Sequence, residues 1–311
     1  MRITRISRSG FTMIELLFVI VILGIVGGLA IEAIRQYYNS IFRTNLYSQR
    51  AAEADHVLDQ ISNYFEYGIA ASVVRLDKNS PPNGATCDGP PRDDSLNDEY
   101  TFAFIAVDHE GLLGFWDGNL SRWRPTWTSN VEVNTTGIIA LDSNYTQANM
   151  QETLTNSAIY DFGSSSAANQ GVCDDFKWQT SSTSTRYNTI TAYTDTTLTL
   201  QNRPSETTDN KYLLRTGYAF RAYNGDFVMY TNFQPWKGEN YTVSGGHVLA
   251  KNVAHFTVDY DVNNTQMNST KGNVYRLKLC MFGVDENLTK ADTTATNKFQ
   301  ICRERMVHVR Y

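Results

Sequence analysis

An apolar run near the N-terminus is the feature that most constrains how this chain folds. Residues Gly10 to Leu23 read GFTMIELLFVIVIL, and between Phe11 and Ile31 the only charged residue is Glu15. As a helix rising about 1.5 Å per residue, this stretch is about 31 Å long, which is enough to cross a bilayer. The sequence therefore predicts a single membrane-spanning helix.

The residues around this run orient the helix and limit how the chain is processed. Arg2, Arg5 and Arg8 precede it without any acid, so the positive-inside rule keeps the N-terminus in the cytoplasm. No small-residue cleavage site follows Ile31, and the only suitable cleavage point lies before the apolar run. A carboxylate such as Glu15 costs roughly 2.5 to 3.5 kcal/mol inside a membrane, so we expect a cationic partner there.

Basic residues, a glycine, an aromatic residue and an apolar run with one acid follow each other in an order that closely resembles the type IV pilin and pseudopilin family. The resemblance implies that a prepilin peptidase cleaves after Gly10 and methylates the new N-terminus at Phe11. It also implies that Glu15 neutralises the N-terminal amine of a neighbouring subunit. The physical argument agrees, because a buried carboxylate is stabilised by an ammonium group at the same membrane depth.

The same resemblance implies partners and a location. The partners are other pilins or pseudopilins in a helical filament, the prepilin peptidase and an inner-membrane assembly platform. The chain would begin as a single-pass inner-membrane protein with a periplasmic head. It would then join a pilus or pseudopilus at the cell surface.

Apolar residues at three- and four-residue spacing continue beyond the membrane run and predict one helix of about 55 residues. They are Ile34, Tyr37, Tyr38, Ile41, Ala54, Val57, Leu58, Ile61, Tyr64 and Phe65, with Gly68 as a stop. We predict an α+β, type IV pilin-like fold in which this helix packs on an antiparallel β-sheet in an enlarged, β-rich head. The predicted parts are a leader (residues 1–10), a membrane-spanning segment (11–31), a periplasmic helix (32–68), an irregular β-rich region (69–215) and a C-terminal antiparallel sheet (216–311).

The C-terminal region has the clearest strand signals. GYAFRAY and DFVMYTNF flank Asn224-Gly225, a strong two-residue hairpin signal. HVLAKNVAHFTVDYDV, VYRLKLCMF and FQICRERMVHVRY complete a predicted five-stranded meander across the long helix. Short phrases in this region loosely resemble the large minor pilins of the PilW type and the J-type pseudopilins of type II secretion.

Four cysteines lie in the head, where an oxidising periplasm favours disulfides. A pair between Cys280 and Cys302 places a lysine directly opposite a glutamate on the last two strands, which is a favourable cross-strand pair. Cys87 and Cys173 would then join the proline-rich loop to the irregular region. This is one of the three pairings that four cysteines allow.

Residues 78–99, KNSPPNGATCDGPPRDDSLNDE, read as a proline-rich acidic loop. Their spacing does not fit an EF-hand, and a solvated loop is the simpler interpretation, so they are only weak candidates for calcium ligands. The candidates are Asp88, Asp93, Asp94 and Asp98. No other metal site and no cofactor is expected.

The segment FWDGNLSRWRPTW combines Trp116, Trp123 and Trp127 with Arg122 and Arg124, a mixture that could stack bases or sugars. We favour the interpretation that the tryptophans fill the interface between helix and sheet. The formal net charge is −5, and it becomes −8 once the leader arginines are removed, which does not attract a polyanion. Nucleic acid is therefore not an expected partner.

The sequence has no recognisable catalytic motif. G-x-S-x-G, H-E-x-x-H and a phosphate-binding loop are absent, and the five histidines are scattered. We predict that the chain is not an enzyme but a minor type IV pilin that enters a pilus or primes its assembly. The alternatives are a J-type minor pseudopilin of type II secretion and a pilus-tip adhesin or uptake receptor.

Overall fold

A computed structural model describes residues 12–77, 87, 89, 100–108, 115–119, 121–124, 138–140, 157–161, 172–178, 187–193, 197–201, 211–242, 245–260, 273–283 and 300–310. Contacts divide the chain into two compact units, Met1–Arg50 and Ala51–Tyr311. The described part consists mainly of one long helix and antiparallel sheets, so the predicted α+β class is confirmed.

Helix α1, Met13–Phe65, is 53 residues long, close to the predicted length. In the first unit most of its large apolar side chains are exposed, including Ile34, Tyr37, Tyr38 and Ile41. The first buried residue of the helix is Ala51, so the stripe that packs on the head begins later than the sequence suggested. Apolar spacing alone cannot tell whether the partner of a stripe belongs to the same molecule or to another one.

In the second unit, the end of α1 carries the buried stripe. Tyr64 was predicted as part of it but is 39% exposed and lies at its margin. The helix ends before Gly68, where a Cβ atom would lie 3.0 Å from the carbonyl oxygen of Phe65. The buried members are Ala54, Val57, Leu58, Ile61 and Phe65.

Among the residues that the structure describes, fourteen strands and a short helix follow α1. The strands are β1 (Val74–Asp77), β2 (Tyr100–Val107), β3 (Phe115–Asp117), β4 (Arg122–Arg124), β5 (Ile138–Ala140), β6 (Ala158–Asp161), β7 (Tyr187–Tyr193), β8 (Thr197–Leu200), β9 (Lys211–Tyr223), β10 (Asp226–Phe233), β11 (Gly246–Lys251), β12 (Val253–Tyr260), β13 (Asn273–Phe282) and β14 (Gln300–Val309). Helix α2 spans Val172–Asp175, and single 3-10 turns lie at Ala70–Ser72 and Pro235–Lys237.

The main sheet has nine strands, and the long strand β9 is its centre. Strand β2 pairs with one edge of β9, while β6 and β10 pair with successive parts of the other edge. Beyond β6 the order continues through β7 and β8 to β5, and β11 extends the sheet from β10. Strand β9 crosses the predicted boundary at residues 215 and 216, so the predicted irregular region and the C-terminal region share one sheet.

Strand β2 is buried on both faces, as its continuous apolar run predicted. Successive side chains of a strand point to opposite faces. Phe102, Phe104 and Ala106 therefore join the core that contains the end of α1, while Ala103 and Ile105 join a second core on the other face. The two cores hold β2 in the middle of the head.

The predicted C-terminal meander is divided between two sheets, which corrects the sequence interpretation. The segment taken as its third strand forms two strands, β11 in the main sheet and β12 in a separate three-stranded sheet of order β12-β13-β14. They meet at Asn252, whose φ of 60° redirects the chain in the left-handed region. The N–H of Val253 then donates to the carbonyl oxygen of Gly225 at 2.9 Å.

Strand β14 lies along the end of α1, and opposite charges join the two. Arg303 forms an ion pair of 3.3 Å with Asp55, and Arg305 and Arg310 pair with Asp59 and Glu66. The helix therefore packs on both sheets, through apolar contacts in the core and ion pairs at one side.

The structure contains two disulfides, Cys87–Cys173 and Cys280–Cys302. These are the two pairs that the sequence analysis favoured. Cys280 lies directly opposite Cys302 in the register of β13 and β14, and Lys278 lies opposite Glu304. The Nζ of that lysine is 2.9 Å from Oε1 of the glutamate.

Candidate functional site

The N-terminal part of α1 presents apolar side chains to its surroundings. Large apolar residues between Met13 and Ile31 are exposed, from 43% for Val19 to 92% for Met13. By length and composition α1 can cross a membrane, and none of its most apolar stretch is buried within the protein. Each Å² of apolar surface left in water forgoes about 25 cal/mol, so lipid or other apolar helices must cover this segment.

Glu15 lies in the first turn of α1. Its backbone N–H donates to the carbonyl oxygen of Thr12 at 3.1 Å, and that of Leu16 donates to the same oxygen at 3.2 Å. A carboxylate at a helix N-terminus is favoured by the helix dipole. The dipole does not replace lost hydration, so an ammonium group at the same depth is the partner that would stabilise this carboxylate in an apolar environment.

Two predicted processing residues, Gly10 and Phe11, lie outside the described residues. They belong to a segment that can be compared with known families. Residues 5–31 match the family model described as the prokaryotic N-terminal methylation motif. The chain carries a prepilin-type methylation motif. The matched range includes Gly10, Phe11 and Glu15 and supports a type IV pilin-like protein or a pseudopilin, in agreement with the resemblance of the sequence.

The prepilin-type motif has general consequences for processing and location. It implies cleavage by a prepilin peptidase and assembly with other pilins. Together with the apolar N-terminal part of α1 it fits a protein anchored in the inner membrane. The motif is common to pilins and pseudopilins, so it does not distinguish the PilW type from the J type. No curated protein and no solved structure matches the chain significantly.

Some of the other residues that the sequence suggested for binding lie outside the described residues. These are the calcium candidates and one tryptophan: Asp88, Asp93, Asp94, Asp98 and Trp127. The backbones of Trp116 and Trp123 are described and lie opposite each other in a two-stranded β3-β4 hairpin. The interpretation of these tryptophans as interface residues stays a prediction.

One group of metal-binding side-chain types occurs among the described residues. His255 lies beside Cys280 and Cys302, with the potential ligand atoms within 4.8 Å of one another. Both sulfur atoms are already joined in a disulfide, so no thiolate is left to bind a metal ion there. Among the other described histidines, His56, His247 and His308 are exposed.

Sequence reasoning missed a cleft in the second unit. It lies where the end of α1 meets the ends of β2 and the middle of β9, and its volume is about 330 Å³. Its walls come from three segments that are far apart in the chain, so no local pattern could have indicated it. The sequence had assigned Tyr64 to the buried stripe, whereas this residue lines the cleft.

Proposed function

We propose that this chain is a minor type IV pilin, made as a prepilin that is cleaved after Gly10 and methylated at Phe11. The match to the N-terminal methylation motif at residues 5–31 carries the proposal. The exposed apolar part of α1 supports it, because such a helix needs lipid before assembly and neighbouring helices afterwards. The proposal assigns no catalytic activity and no cofactor to the chain.

In the proposed assembly step, the carboxylate of Glu15 pairs with the methylated N-terminal amine of a neighbouring subunit. Each of these charged groups costs free energy in an apolar environment when it is unpaired, and the attraction between them offsets that cost. Cleavage creates the amine, so pairing follows processing. The pairing therefore helps to order the subunits in the filament.

The size of the head favours a role as a minor pilin, a subunit present in few copies. The unit Ala51–Tyr311 contains a nine-stranded sheet, a three-stranded sheet and a two-stranded hairpin. Filaments grow by repeated heterologous contacts, and a bulky head suits a subunit present in few copies, at the tip or in the priming complex. A J-type pseudopilin of type II secretion and a tip adhesin are the alternatives.

Counting surface pili by electron microscopy tests the proposal. The cells compared are the wild type, a strain without this gene and the same strain with the gene restored. We expect few or no pili without the gene and normal numbers after restoration. Normal pili together with lost protein secretion would replace the proposal with the J-type pseudopilin, and normal pili with normal secretion would favour the tip adhesin.

A further inference from the structure

The cleft at the end of α1 has an aromatic wall. Tyr64, Tyr67 and Tyr218 line it, and the rings of Tyr64 and Tyr218 stack with centroids 5.0 Å apart and an interplanar angle of 30°. Tyr218 in turn stacks on the fully buried Phe104 at 5.5 Å. The core of the head therefore supports this wall from behind, while Tyr64 keeps 39% of its surface exposed.

The remaining lining of the cleft includes polar side chains of both signs. Gln60 and Asn63 come from α1, Asp108 directly follows β2, and Arg215 lies within β9. Oδ1 of Asp108 is 3.6 Å from Nη1 of Arg215, and the carboxylate is 3% exposed while the guanidinium is 45% exposed. The backbone N–H of Asp108 donates to the carbonyl oxygen of Leu213 at 2.8 Å, which holds the acid in place.

This combination specifies the chemistry of a ligand. Carboxylate oxygens accept hydrogen bonds, guanidinium groups donate them and amides do both, so the polar lining complements hydroxyl groups, which also do both. The paired charges of Asp108 and Arg215 cancel, so the cleft does not select a free anion or cation. Tyr218 is stacked on both Tyr64 and Phe104, so the ring of Tyr64 is the one that offers a negative face to the weakly positive C–H groups of a ligand.

We propose that this cleft binds one neutral sugar unit, a hexopyranose or an N-acetylhexosamine. The C–H face of the ring packs on the tyrosine wall, and its hydroxyl groups bond to the polar side chains. The volume of about 330 Å³ is at the small end of ligand sites, which suits a single ring rather than a long chain segment. Sugar binding of this kind is independent of pilus assembly, so either proposal can fail without the other.

Saturation-transfer NMR on the full chain tests the proposal. The protein is held in micelles of a zwitterionic detergent, because the headgroups of maltoside detergents are themselves sugars and would compete. The probes are free glucose, galactose, mannose, N-acetylglucosamine and N-acetylgalactosamine. We expect at least one of them to receive saturation and to bind with a Kd of about 1 to 10 mM.

Three variants locate the site. Tyr64→Ala removes half of the stacked pair, Arg215→Gln removes the guanidinium, and each should weaken binding at least about tenfold. Asn63→Ala changes an exposed helix position and should weaken binding without disturbing the core. Tyr223→Ala is the matched control, because Tyr223 is also an exposed tyrosine beside an arginine but lies at the end of β9, away from the cleft lining. The centroid of its ring is 4.4 Å from the guanidinium carbon of Arg221, and this variant should bind as the wild type does.

Two results would overturn the proposal. One is that none of the five sugars binds to the wild type. The other is that the folded cleft variants bind as tightly as Tyr223→Ala. Circular dichroism identifies a variant that has not folded, and in that case the exposed Asn63→Ala variant decides the outcome.

Discussion

Gly217 is a residue whose size determines how the main sheet packs. It lies in β9, and a Cβ atom there would be 2.6 Å from Cε2 of Phe233. Phe233 is 1% exposed and belongs to the core on one face of the sheet. Protein cores are packed as densely as organic crystals, so displacing this ring would disturb the residues packed around it.

We expect Gly217→Ala to lower the free energy of unfolding of the head by about 1 to 3 kcal/mol, because the added methyl group overpacks the core. Urea unfolding of the full chain in detergent micelles measures the change. Gly118→Ala is the control, since a Cβ atom at Gly118 meets nothing within 4 Å. Equal stability of the two variants would contradict the argument.

The pair between Glu304 and Lys278 makes the stability of the head depend on pH. The hydrogen bond from Lys278 lowers the pKa of Glu304 below its ordinary value of 4.5. A carboxyl group with a lowered pKa in the folded state stabilises the fold above the unfolded pKa, and this stability is lost as the pH falls through the folded pKa. Both side chains are partly exposed, so water screens the pair and its contribution is small.

Glu304→Gln should reduce the free energy of unfolding by about 0.2 to 1 kcal/mol at pH 7. The difference from the wild type should shrink as the pH falls below 4.5, where the wild-type carboxylate also becomes protonated. Unfolding curves at neutral and acid pH measure both effects. In a Lys278→Met background the same substitution should have a smaller effect at pH 7, because only the charge of Arg276 still favours the carboxylate, and an undiminished loss there would show that another contact is responsible.

At the scale of elements, the disulfides close loops of very different length. Cys280 and Cys302, which are 22 residues apart in the chain, join two neighbouring strands. Cys87–Cys173 joins residue 87, which bridges to Leu76 of β1, to helix α2 over a separation of 86 residues. A longer closed loop restricts the unfolded chain more, so the second disulfide should contribute more to stability.

Replacing each cysteine pair by serine tests this difference. Loop entropy predicts a loss of about 3 kcal/mol for Cys280 and Cys302 and about 4.5 kcal/mol for Cys87 and Cys173. Urea unfolding of the two double variants, with the wild type under the same oxidising conditions, measures the losses. A larger loss from the shorter loop would mean that native contacts near the disulfide, rather than chain entropy, dominate its contribution.

At the scale of the whole molecule, the two compact units differ in how their apolar residues are covered. The unit Ala51–Tyr311 buries its own apolar residues in two cores. The described part of the other unit leaves most of its large apolar side chains exposed, so its stability depends on lipid or on other subunits. A change at Glu15 should therefore affect assembly but not the folding of the head.

We expect Glu15→Ala to reduce incorporation of the chain into sheared filaments at least about tenfold, because a buried ammonium group without a partner costs several kcal/mol. Immunoblots of the filament and membrane fractions give the ratio. Glu32→Ala is the control, since Glu32 is an exposed acid of the same helix outside the predicted membrane segment. If Glu15→Ala entered filaments as well as Glu32→Ala, the proposed pairing would be wrong.

Local patterns predicted some elements well. The helix, the two faces of β2 and the register of β13 with β14 each follow from residues close together in sequence or from strict alternation. The C-terminal meander was predicted less well, because a left-handed residue at Asn252 separates two strands that the sequence analysis took as one. Asparagine can adopt the left-handed conformation, but an asparagine in the sequence does not imply that conformation. The break between the two strands therefore had no clear sequence signal.

By itself, the sequence determined the long helix, its membrane-crossing part and the prepilin-type motif. Helical periodicity and the cost of charge in lipid act through residues that are neighbours in the chain. Only the tertiary structure decided that β9 unites β2, β6 and β10 in one sheet, and that Tyr64, Asp108 and Arg215 share a cleft. Strand partners and clefts depend on packing between distant segments, and the same alternating pattern is compatible with many partners.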